Sequence, residues 1–457
     1  MRCAGNDMGY LTLHNRTFSL PLCALHQPAF HLDSKNYKIG IIGLGYVGLP
    51  LACLFATRHK VVGYDIDRDR VEQLCKGIDR TGEAGDESLR NAIAHGMRCT
   101  TAIDDLRCCN VYVVTVPTPI DGNRQPDLAP LIAASRSIGQ VISRGDLVVY
   151  ESTVYPGVTE EICVPEIERV SGLRLNVDFC AGYSPERINP GDKVHRVENI
   201  RKITSGSTPA AADEIDAIYN SVLKNGTHKA PSIKVAEAAK IIENTQRDVN
   251  IALMNELAKI FNAMGIDTCD VLAAARTKWN FIDIRPGLVG GHCISVDPYY
   301  LIQRAKLSGV LPRVMTEARR INDSMGDYVA NQAIRLMNLH DVRVKDAAVL
   351  LLGFAFKENC PDTRNTKVAD IYHTFSQYTG RITVYDPWVD AAVVKASFGI
   401  DIATDDIEEC QARFDCIVLC TAHDIFKTMD LHRLLAKGGV IYDVKGVLPE
   451  GMYDKRL

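Results

Sequence analysis

A glycine-rich segment of this chain places one cysteine among groups that could make it reactive. The segment reads Pro-Gly-Leu-Val-Gly-Gly-His-Cys-Ile-Ser-Val-Asp-Pro, so Cys293 follows His292 and precedes Asp297 by four residues. The glycines before them, Gly290 and Gly291, let the backbone approach a ligand closely. A thiolate is the nucleophilic form of cysteine, and nearby positive charge stabilises it. The segment therefore predicts a covalent role for Cys293, with His292 either tuning the thiol or simply packing behind it.

Two further polar residues, Lys240 and Asn244, are four positions apart in a long helical pattern and so lie on one helix face. An ammonium and an amide on one face could stabilise a developing oxyanion, through a shared water. A solvated lysine is the ordinary alternative. The spacing by itself leaves both roles open.

The motif Gly43-Leu-Gly45-Tyr-Val-Gly48 follows a β-branched run and opens a helical pattern. In such a unit the glycines make a tight turn, admit a pyrophosphate and allow close helix–strand packing. The phosphates would bind the free N–H groups at the helix N terminus. Asp65 ends the next strand pattern, where a carboxylate accepts hydrogen bonds from ribose hydroxyls and disfavours a 2′-phosphate. We therefore expect NAD, bound by Gly43, Gly45, Tyr46, Val47, Gly48 and Asp65.

Three more residues are candidates for this cofactor site. Arg70 follows Asp65 closely and could lie over the adenine or its phosphate, although a solvated helix arginine fits equally well. Thr118 and Thr153 each follow a strand pattern, so their hydroxyls could reach the nicotinamide side of the cofactor from the carboxyl edge of the sheet. Ordinary turn chemistry at strand ends is the alternative for both threonines.

Elements that would position these residues can be read from the apolar periodicity. Short β-branched runs at 38–43, 60–65, 111–116 and 147–150 alternate with helical stretches, as do later runs at 346–353, 382–386, 414–420 and 439–443. Strands alternating with helices indicate parallel βαβ units. Between the two blocks, residues 232–264 form one helical pattern without Gly or Pro. The predicted fold class is α/β, with two Rossmann-like doubly wound domains joined by a long central helix.

The corresponding domain boundaries follow from these patterns. We expect an N-terminal extension that is disordered, an NAD-binding Rossmann domain, a central helical dimerisation and catalytic domain, and a second Rossmann-like domain for the other ligand. Their predicted ranges are 1–36, 37–215, 216–330 and 331–457.

Composition narrows the class of protein. The 457 residues carry 52 basic and 56 acidic side chains, a net charge of −4, so nothing favours nucleic acid or a membrane surface as partner. No apolar run is long enough to span a bilayer. The 15 cysteines are scattered without zinc-ligand spacing, so no metal is expected and the thiols indicate a reducing, cytoplasmic environment.

The ordered set of motifs resembles the UDP-glucose/GDP-mannose dehydrogenase superfamily. Besides the segments above, the resemblance rests on Ser184-Pro-Glu186-Arg187, Leu352-Gly-Phe-Ala-Phe-Lys357, Asp362-Thr-Arg364 and Tyr385-Asp-Pro387. Gly-Gly-His-Cys-Ile-Ser-Val-Asp-Pro-Tyr-Tyr-Leu is similar to the UDP-N-acetylhexosamine branch. The run from Lys278 to Val289 resembles the Vi-antigen type of UDP-N-acetylglucosamine 6-dehydrogenase. The likeness covers nearly all of the chain from Tyr37 onward.

This resemblance implies a four-electron oxidation of a C6 alcohol to an acid, without release of the aldehyde. Lys240 and Asn244 would stabilise the alkoxide. Cys293 would carry a thiohemiacetal and then a thioester, and Asp297 would help water to hydrolyse the thioester. The implied catalytic residues are Cys293, Lys240, Asn244, Asp297 and Glu186. The implied substrate-binding residues are Glu186, Arg187, Lys240, Asn244, Arg247, Gly290, Gly291, His292, Lys357 and Arg364, with the last two at the UDP pyrophosphate. Arg319, Arg320 and Asn322 would help to hold the sugar.

Departures from the UDP-glucose branch limit what can be carried over. A glutamate of that branch is replaced here by Pro190, a lysine by Val296, and a serine by His292. The general base for the thioester step is therefore left open between Glu186 and Asp297.

The predicted function is NAD-dependent oxidation of UDP-N-acetylglucosamine to its uronate for polysaccharide precursors, of capsule or O-antigen type. The alternatives are the N-acetylmannosamine or N-acetylgalactosamine epimer, a two-electron hydroxyacid-type dehydrogenase, and a catalytically dead nucleotide-sugar sensor. We expect a homodimer or a higher homo-oligomer.

Overall fold

A computed structural model describes residues 36–122, 124–188, 196–404 and 406–457. The predicted N-terminal extension lies outside the described residues except for Asn36, and Pro190 lies outside them as well.

The central strands of the first sheet are buried on both faces, as β-branched runs in parallel sheets usually are, whereas the strands at its two edges are partly exposed. Among the described residues its order is β3-β2-β1-β4-β5-β6-β7-β8. The strands are β1 (Lys38–Ile42), β2 (Lys60–Tyr64), β3 (Arg98–Thr100), β4 (Val111–Val114), β5 (Leu147–Tyr150), β6 (Cys180–Tyr183), β7 (Lys202–Gly206) and β8 (Thr227–Lys229). The helices are α1 (Gly48–Ala56), α2 (Arg68–Cys75), α3 (Asp86–Ala94), α4 (Ala129–Gly139), α5 (Val164–Ser171) and α6 (Pro209–Asn220).

This sheet departs from the prediction in two respects. β6 and β7 pair antiparallel, so the sheet is not wholly parallel. The predicted boundary at residue 215 falls inside α6, which is one continuous helix and packs on β7, and β8 extends the same sheet to Lys229.

The long central helix is confirmed as α7 (Ile233–Met264). The side chain of Ser232 accepts a hydrogen bond from the N–H of Val235, and Gly265 ends the helix with a φ of 73°. At 1.5 Å per residue, α7 is about 48 Å long. Its length lets one helix touch both sheets.

Further helices complete the central region, and polar contacts hold two of them together. They are α8 (Thr268–Ala275), α9 (Asp297–Leu307), α10 (Arg313–Asp323) and α11 (Met325–Leu339). Arg319 and Asn322 of α10 are buried and both donate to Asp248 of α7, at 2.5 and 2.7 Å. These polar groups of Arg319 and Asn322 join two helices, and the expectation that they hold a sugar stays a prediction. Arg320 is mostly exposed and pairs with Glu317.

A second, parallel sheet has the order β10-β9-β11-β12-β13 in the described part of the chain. Its strands are β9 (Val349–Leu352), β10 (Ile382–Tyr385), β11 (Phe414–Leu419), β12 (Leu435–Asp443) and β13 (Lys455–Arg456), with helices α12 (Val368–Ser376), α13 (Ala391–Phe398) and α14 (Asp424–Thr428). α11 packs on α12 and shares its core, and the predicted boundary at residue 330 falls inside α11.

All three regions meet at one carboxylate, that of Asp323 at the end of α10. It pairs with Arg124 from the first domain at 2.8 Å, with Arg319 of α10 at 2.5 Å and with Lys367 from the C-terminal domain at 3.5 Å. Tyr299 of α9 donates its hydroxyl to the same group at 2.6 Å. These cations hold the pKa of Asp323 below its usual range despite burial.

Candidate active site

The glycine loop after β1 is held from beneath by two side chains. Gly43 has a φ of 96°, which favours glycine. Its carbonyl accepts a hydrogen bond from the Thr115 hydroxyl at 2.7 Å. The N–H of Leu44 donates to Asp65 at 2.7 Å. Thr115 was missed from the sequence, although its place directly after β4 puts it at the same sheet edge.

The loop has the shape that a dinucleotide phosphate needs. No side chain caps the start of α1 at Val47. A methyl group added at Gly48 would come within 1.8 Å of the Gly43 carbonyl oxygen, whereas one added at Gly45 would meet nothing within 4 Å. Gly48 is thus required by packing, and Gly45 faces open space where a pyrophosphate fits on the helix N terminus.

These two glycines should respond differently to alanine. Gly48→Ala should lower thermal stability by several degrees, because a Cβ has no room beside Gly43. Gly45→Ala should leave the melting temperature nearly unchanged and raise the KM for NAD about tenfold or more, because its methyl group occupies ligand space. Thermal unfolding and NAD kinetics check both. Equal loss of stability in the two variants would contradict this reading.

Arg70 is buried rather than solvated. It is 4% exposed and donates to the Leu44 carbonyl at 3.1 Å and to Asp79 at 3.1 Å. The solvated alternative is therefore wrong, whereas a contact with the cofactor stays a prediction. The guanidinium supports the glycine loop from behind, through Leu44.

Thr118 and Thr153 lie on loops that are joined to each other and to the cysteine region. Ser152, beside Thr153, donates its hydroxyl to the Val116 carbonyl at 2.7 Å. The buried Tyr300 hydroxyl donates to the Thr118 carbonyl at 2.9 Å. Because Tyr300 belongs to α9, these contacts bring the carboxyl edge of the first sheet to the helix that follows Cys293.

Lys240, Asn244, Cys293 and Asp297 form one group. Asn244 donates its side-chain amide to Asp297 at 2.5 Å. The Asp297 N–H donates to the Cys293 carbonyl at 2.8 Å, which begins α9. Lys240 lies one helix turn before Asn244 on the same face of α7, and its charge lowers the pKa of both Cys293 and Asp297.

Burial sets the protonation of this group. Desolvation raises the pKa of Asp297 to about 6, against the opposing effects of Lys240 and Asn244. Desolvation and the neighbouring Asp297 charge raise the pKa of the Cys293 thiol to about 11, although Lys240, Arg364 and Arg247 act to lower it. The resting thiol is therefore protonated near neutral pH, and its attack requires a proton acceptor.

His292 does not provide the positive charge that its position suggested. Burial, Arg364 and Lys240 lower the pKa of its imidazole to about 4, with Asp362 opposing. Its Nδ1 lies 3.9 Å from Asp362 and has no hydrogen-bond partner among the described residues. A neutral ring with a free nitrogen suits contact with a polar ligand group better than stabilisation of a thiolate.

Gly290 and Gly291, which precede Cys293, pack against the C-terminal domain. A methyl group added at Gly290 or Gly291 would come within 3 Å of the Phe356 side chain. The Gly291 N–H donates to the Arg364 carbonyl, and Asn365 donates to the Gly291 carbonyl, both at 2.9 Å. Phe356 was missed as a site residue, because its role depends on a contact across two domains.

Arg364 lies where the C-terminal domain meets the glycine loop. Its guanidinium is 4.9 Å from the centre of the Tyr46 ring and is paired with Asp362. It is thus next to the predicted cofactor loop as well as to the Gly291 backbone. Lys357 is half-buried one residue after Phe356.

The loop after β6, which carries Glu186 and Arg187, is tied to its surroundings, and none of its described contacts reaches Cys293. Glu186 accepts the N–H groups of Arg187 and Ile188, each at 2.6 Å, and lies 3.6 Å from the buried Lys202. Arg187 pairs with Glu243 on α7 at 2.8 Å. Arg247, one turn after Glu243 on α7, is exposed and within charge range of Cys293.

One helix-positioning residue was also missed. Glu237, one turn before Lys240, is buried and accepts the N–H groups of Gly157 and Thr159 at 2.6 and 3.0 Å. These bonds fix α7 against the loop that follows β5. The face of α7 that carries Lys240 and Asn244 is thereby docked onto the first domain.

The described residues contain no group of three or more His, Cys, Asp or Glu side chains that could hold a metal ion. In the same part of the chain, no helix combines the length and apolar character needed to cross a membrane.

Three family models match consecutive parts of the chain. They describe the NAD binding, central and UDP binding domains of the UDP-glucose/GDP-mannose dehydrogenase family, and match residues 37–223, 234–324 and 350–450. The matches agree in order with the first sheet, the central helices and the second sheet.

Individual proteins similar to this chain cover almost all of it. A UDP-N-acetyl-D-glucosamine 6-dehydrogenase of Pseudomonas aeruginosa is 54% identical, over 93% of this chain and 100% of its own. One of Salmonella typhi is 52% identical, over 92% of this chain and 98% of its own. The structure of a UDP-D-ManNAc dehydrogenase from Pyrococcus horikoshii superposes with a TM-score of 0.83 at 31% identity, covering 92% of this chain and 98% of the other.

Proposed function

The chain belongs to the UDP-glucose/GDP-mannose dehydrogenase family, and we propose that it oxidises C6 of UDP-N-acetylglucosamine to the uronic acid with two NAD. The substrate assignment is supported by the two relatives at 54% and 52% identity that are named for this reaction. The four-electron course is supported by one observation in particular, the grouping of Cys293 with Lys240, Asn244 and Asp297.

The first oxidation needs the C6 hydroxyl to lose its proton. NAD held at the loop of Gly43, Gly45 and Gly48 would supply the hydride acceptor for both oxidations. Lys240 and Asn244 come from one face of α7, and the ammonium stabilises negative charge on the C6 oxygen. The buried setting strengthens that interaction, because little water competes for the charge.

The aldehyde is then captured by Cys293. Its sulfur forms a bond to C6, and the carbonyl oxygen, on becoming a hydroxyl, takes up the thiol proton, which gives a thiohemiacetal. Loss of a second hydride and of the hydroxyl proton leaves a thioester. The covalent bond keeps the intermediate in the site between the two oxidations.

Water completes the reaction by attacking the thioester carbon, which breaks the C–S bond and returns the thiol. Asp297 is our candidate for the base that accepts the proton of this water, because its pKa of about 6 leaves it ionised at neutral pH. Glu186 is the weaker candidate, since one of its oxygens is committed to two backbone N–H groups.

The test is a panel of UDP-hexoses and UDP-N-acetylhexosamines offered to the purified protein with NAD. We expect UDP-N-acetylglucosamine to give the highest kcat/KM and two NADH per sugar. One NADH per sugar would reject the four-electron course, and a preference for the N-acetylmannosamine or N-acetylgalactosamine epimer would reject the substrate.

We also propose that the active form is a homodimer formed through α7. Five apolar side chains of this helix are 45–64% exposed, and their spacing of 7, 11, 7 and 4 residues puts them on one stripe: Val235, Ile242, Leu253, Ile260 and Met264. Apolar stripes of this length are normally covered. A second copy of α7 presents a matching stripe, so an antiparallel pairing would cover both.

Light scattering on the double variant Leu253→Asp, Ile260→Asp tests this proposal. We expect a dimeric wild type and a monomeric variant. Val393→Asp, at an isolated apolar residue of α13 that is 52% exposed, is the matched control and should remain dimeric. A monomeric wild type, or a dimeric double variant, would contradict the α7 interface.

Free thiols support a reducing location: each described cysteine is unpaired, which fits the cytoplasm. The product, an activated uronic acid, is of the class that glycosyltransferases consume, in keeping with a role in polysaccharide synthesis.

A further inference from the structure

The same glycine turn follows the first strand of each sheet, but the aspartate that accepts its N–H is open in one sheet and buried in the other. In the first, Gly43 has a φ of 96° and the next N–H donates to Asp65, at the end of the neighbouring strand. In the second, Gly353 has a φ of 88° and the next N–H, that of Phe354, donates to Asp386 at 2.6 Å. Asp65 is partly exposed and open to a ribose, whereas Asp386 is 4% exposed.

The side chain that closes the second turn is His423. It is 0% exposed and its Nε2 donates to Asp386 at 3.0 Å. Its Nδ1 accepts the N–H of Asn359 at 2.8 Å. Because a carboxylate can only accept and a backbone N–H can only donate, the two bonds fix one neutral tautomer. Trp388 stacks on one face of the ring, and the edge of Phe426 meets it.

Those contacts fasten both ends of the segment 354–359. At its start, Asp386 accepts the N–H groups of Phe354 and Ala355 at 2.6 and 2.8 Å. At its end, Asn359 has a φ of 54° and is held by His423. Between them lie Phe356, which packs on the glycines before Cys293, and Lys357.

We propose that His423 is a positioning residue for the diphosphate of the nucleotide-sugar substrate. It fills the place that a ribose takes beside Asp65, and it sets the segment 354–359 so that Lys357 meets the diphosphate and Phe356 supports the cysteine segment. This inference rests on the proposed function, because it takes the ligand of the C-terminal domain to be a uridine diphosphate sugar.

Substitutions at His423 that differ in side-chain length distinguish the effect of its hydrogen bonds from the effect of its size. In His423→Gln the longer amide reaches the level of Nε2 and can still donate to Asp386, which is the buried partner. In His423→Asn the shorter amide cannot span both partners, and His423→Phe keeps the ring but neither bond. His432→Phe, at a mostly exposed histidine of the same domain, is the matched control.

The experiment is calorimetric titration of each full-length variant with UDP, together with KM values for the sugar nucleotide and for NAD. Since a buried group left without its partner is costly, we expect UDP affinity to fall about tenfold or more in the Phe and Asn variants. It should fall by less than about threefold in the Gln variant, and the KM for NAD should change little throughout.

Equal UDP affinity in the Asn, Gln and wild-type proteins would overturn the inference, and so would a parallel loss of NAD and UDP binding. The contrast of Asn with Gln decides the matter even if the Phe variant does not fold. Failure of the wild type to bind UDP would instead reject the proposed function.

Discussion

Replacing Cys293 by serine should abolish net formation of the acid and lower the steady-state rate by at least about ten-thousand-fold. A serine hydroxyl is a far weaker nucleophile than a thiol, and in this desolvated position nothing nearby lowers its pKa enough to compensate. Without the covalent adduct there is no thiohemiacetal, which is the species that the second oxidation acts on. The measurements are NADH per sugar and acid formation by mass spectrometry.

A matched control is Cys75→Ser, because Cys75 is an exposed thiol at the end of α2. It should retain wild-type activity. Folding is checked by thermal unfolding, which serine at position 293 should alter little. Two NADH per sugar and a wild-type rate in Cys293→Ser would refute the covalent mechanism.

The second large effect is expected for Asp297→Asn. If Asp297 accepts the proton of the hydrolytic water, its loss should slow turnover by roughly 10²–10⁴-fold. The thioester should then accumulate, and it is detectable as a mass increase on Cys293 after a burst of NADH. In the wild type, the rate of hydrolysis should fall as the pH drops through about 6, the pKa of Asp297. The asparagine variant should lack that inflection.

The same substitution, Asp297→Asn, should raise the stability of the folded protein although it lowers the activity. An exposed aspartate has a pKa near 3.9, whereas burial raises the pKa of Asp297 to about 6. The folded state therefore binds this proton more tightly than the unfolded state, and stability contributed by the protonated form is lost as the pH rises from about 4 through 6. At pH 7 the asparagine variant should be more stable by up to about 3 kcal/mol. A less stable variant that unfolds early would mean that its low activity reports misfolding instead.

Much of this architecture can be predicted from residues that are close together in the sequence. The GxGxxG turn, the strand that ends at Asp65 and the uninterrupted helix 232–264 are each determined by neighbours along the chain, and each was predicted. The grouping of Lys240 with Asn244 follows from helix geometry alone. Their meeting with Cys293 needed the family resemblance, because nothing in the spacing says which surface α7 packs against.

Long-range contacts account for what was missed. Arg70 looks like a surface arginine in sequence, and only the fold shows that the Leu44 carbonyl and Asp79 are its partners. Phe356 supports the cysteine segment across a domain boundary. His423 is separated by 37 residues from Asp386, to which it donates a hydrogen bond. Such pairs cannot be read from periodicity, which reports only which face of an element is buried.

The junction at Asp323 has a consequence for turnover. Any movement that opens the cleft must separate Arg124 of the first domain from Lys367 of the third, since both lie on this carboxylate. The junction then acts as an electrostatic latch, and its strength depends on ionic strength. Where product release limits the rate, as it does in many enzymes that close over their substrate, added salt should weaken the latch and speed turnover before it weakens substrate binding.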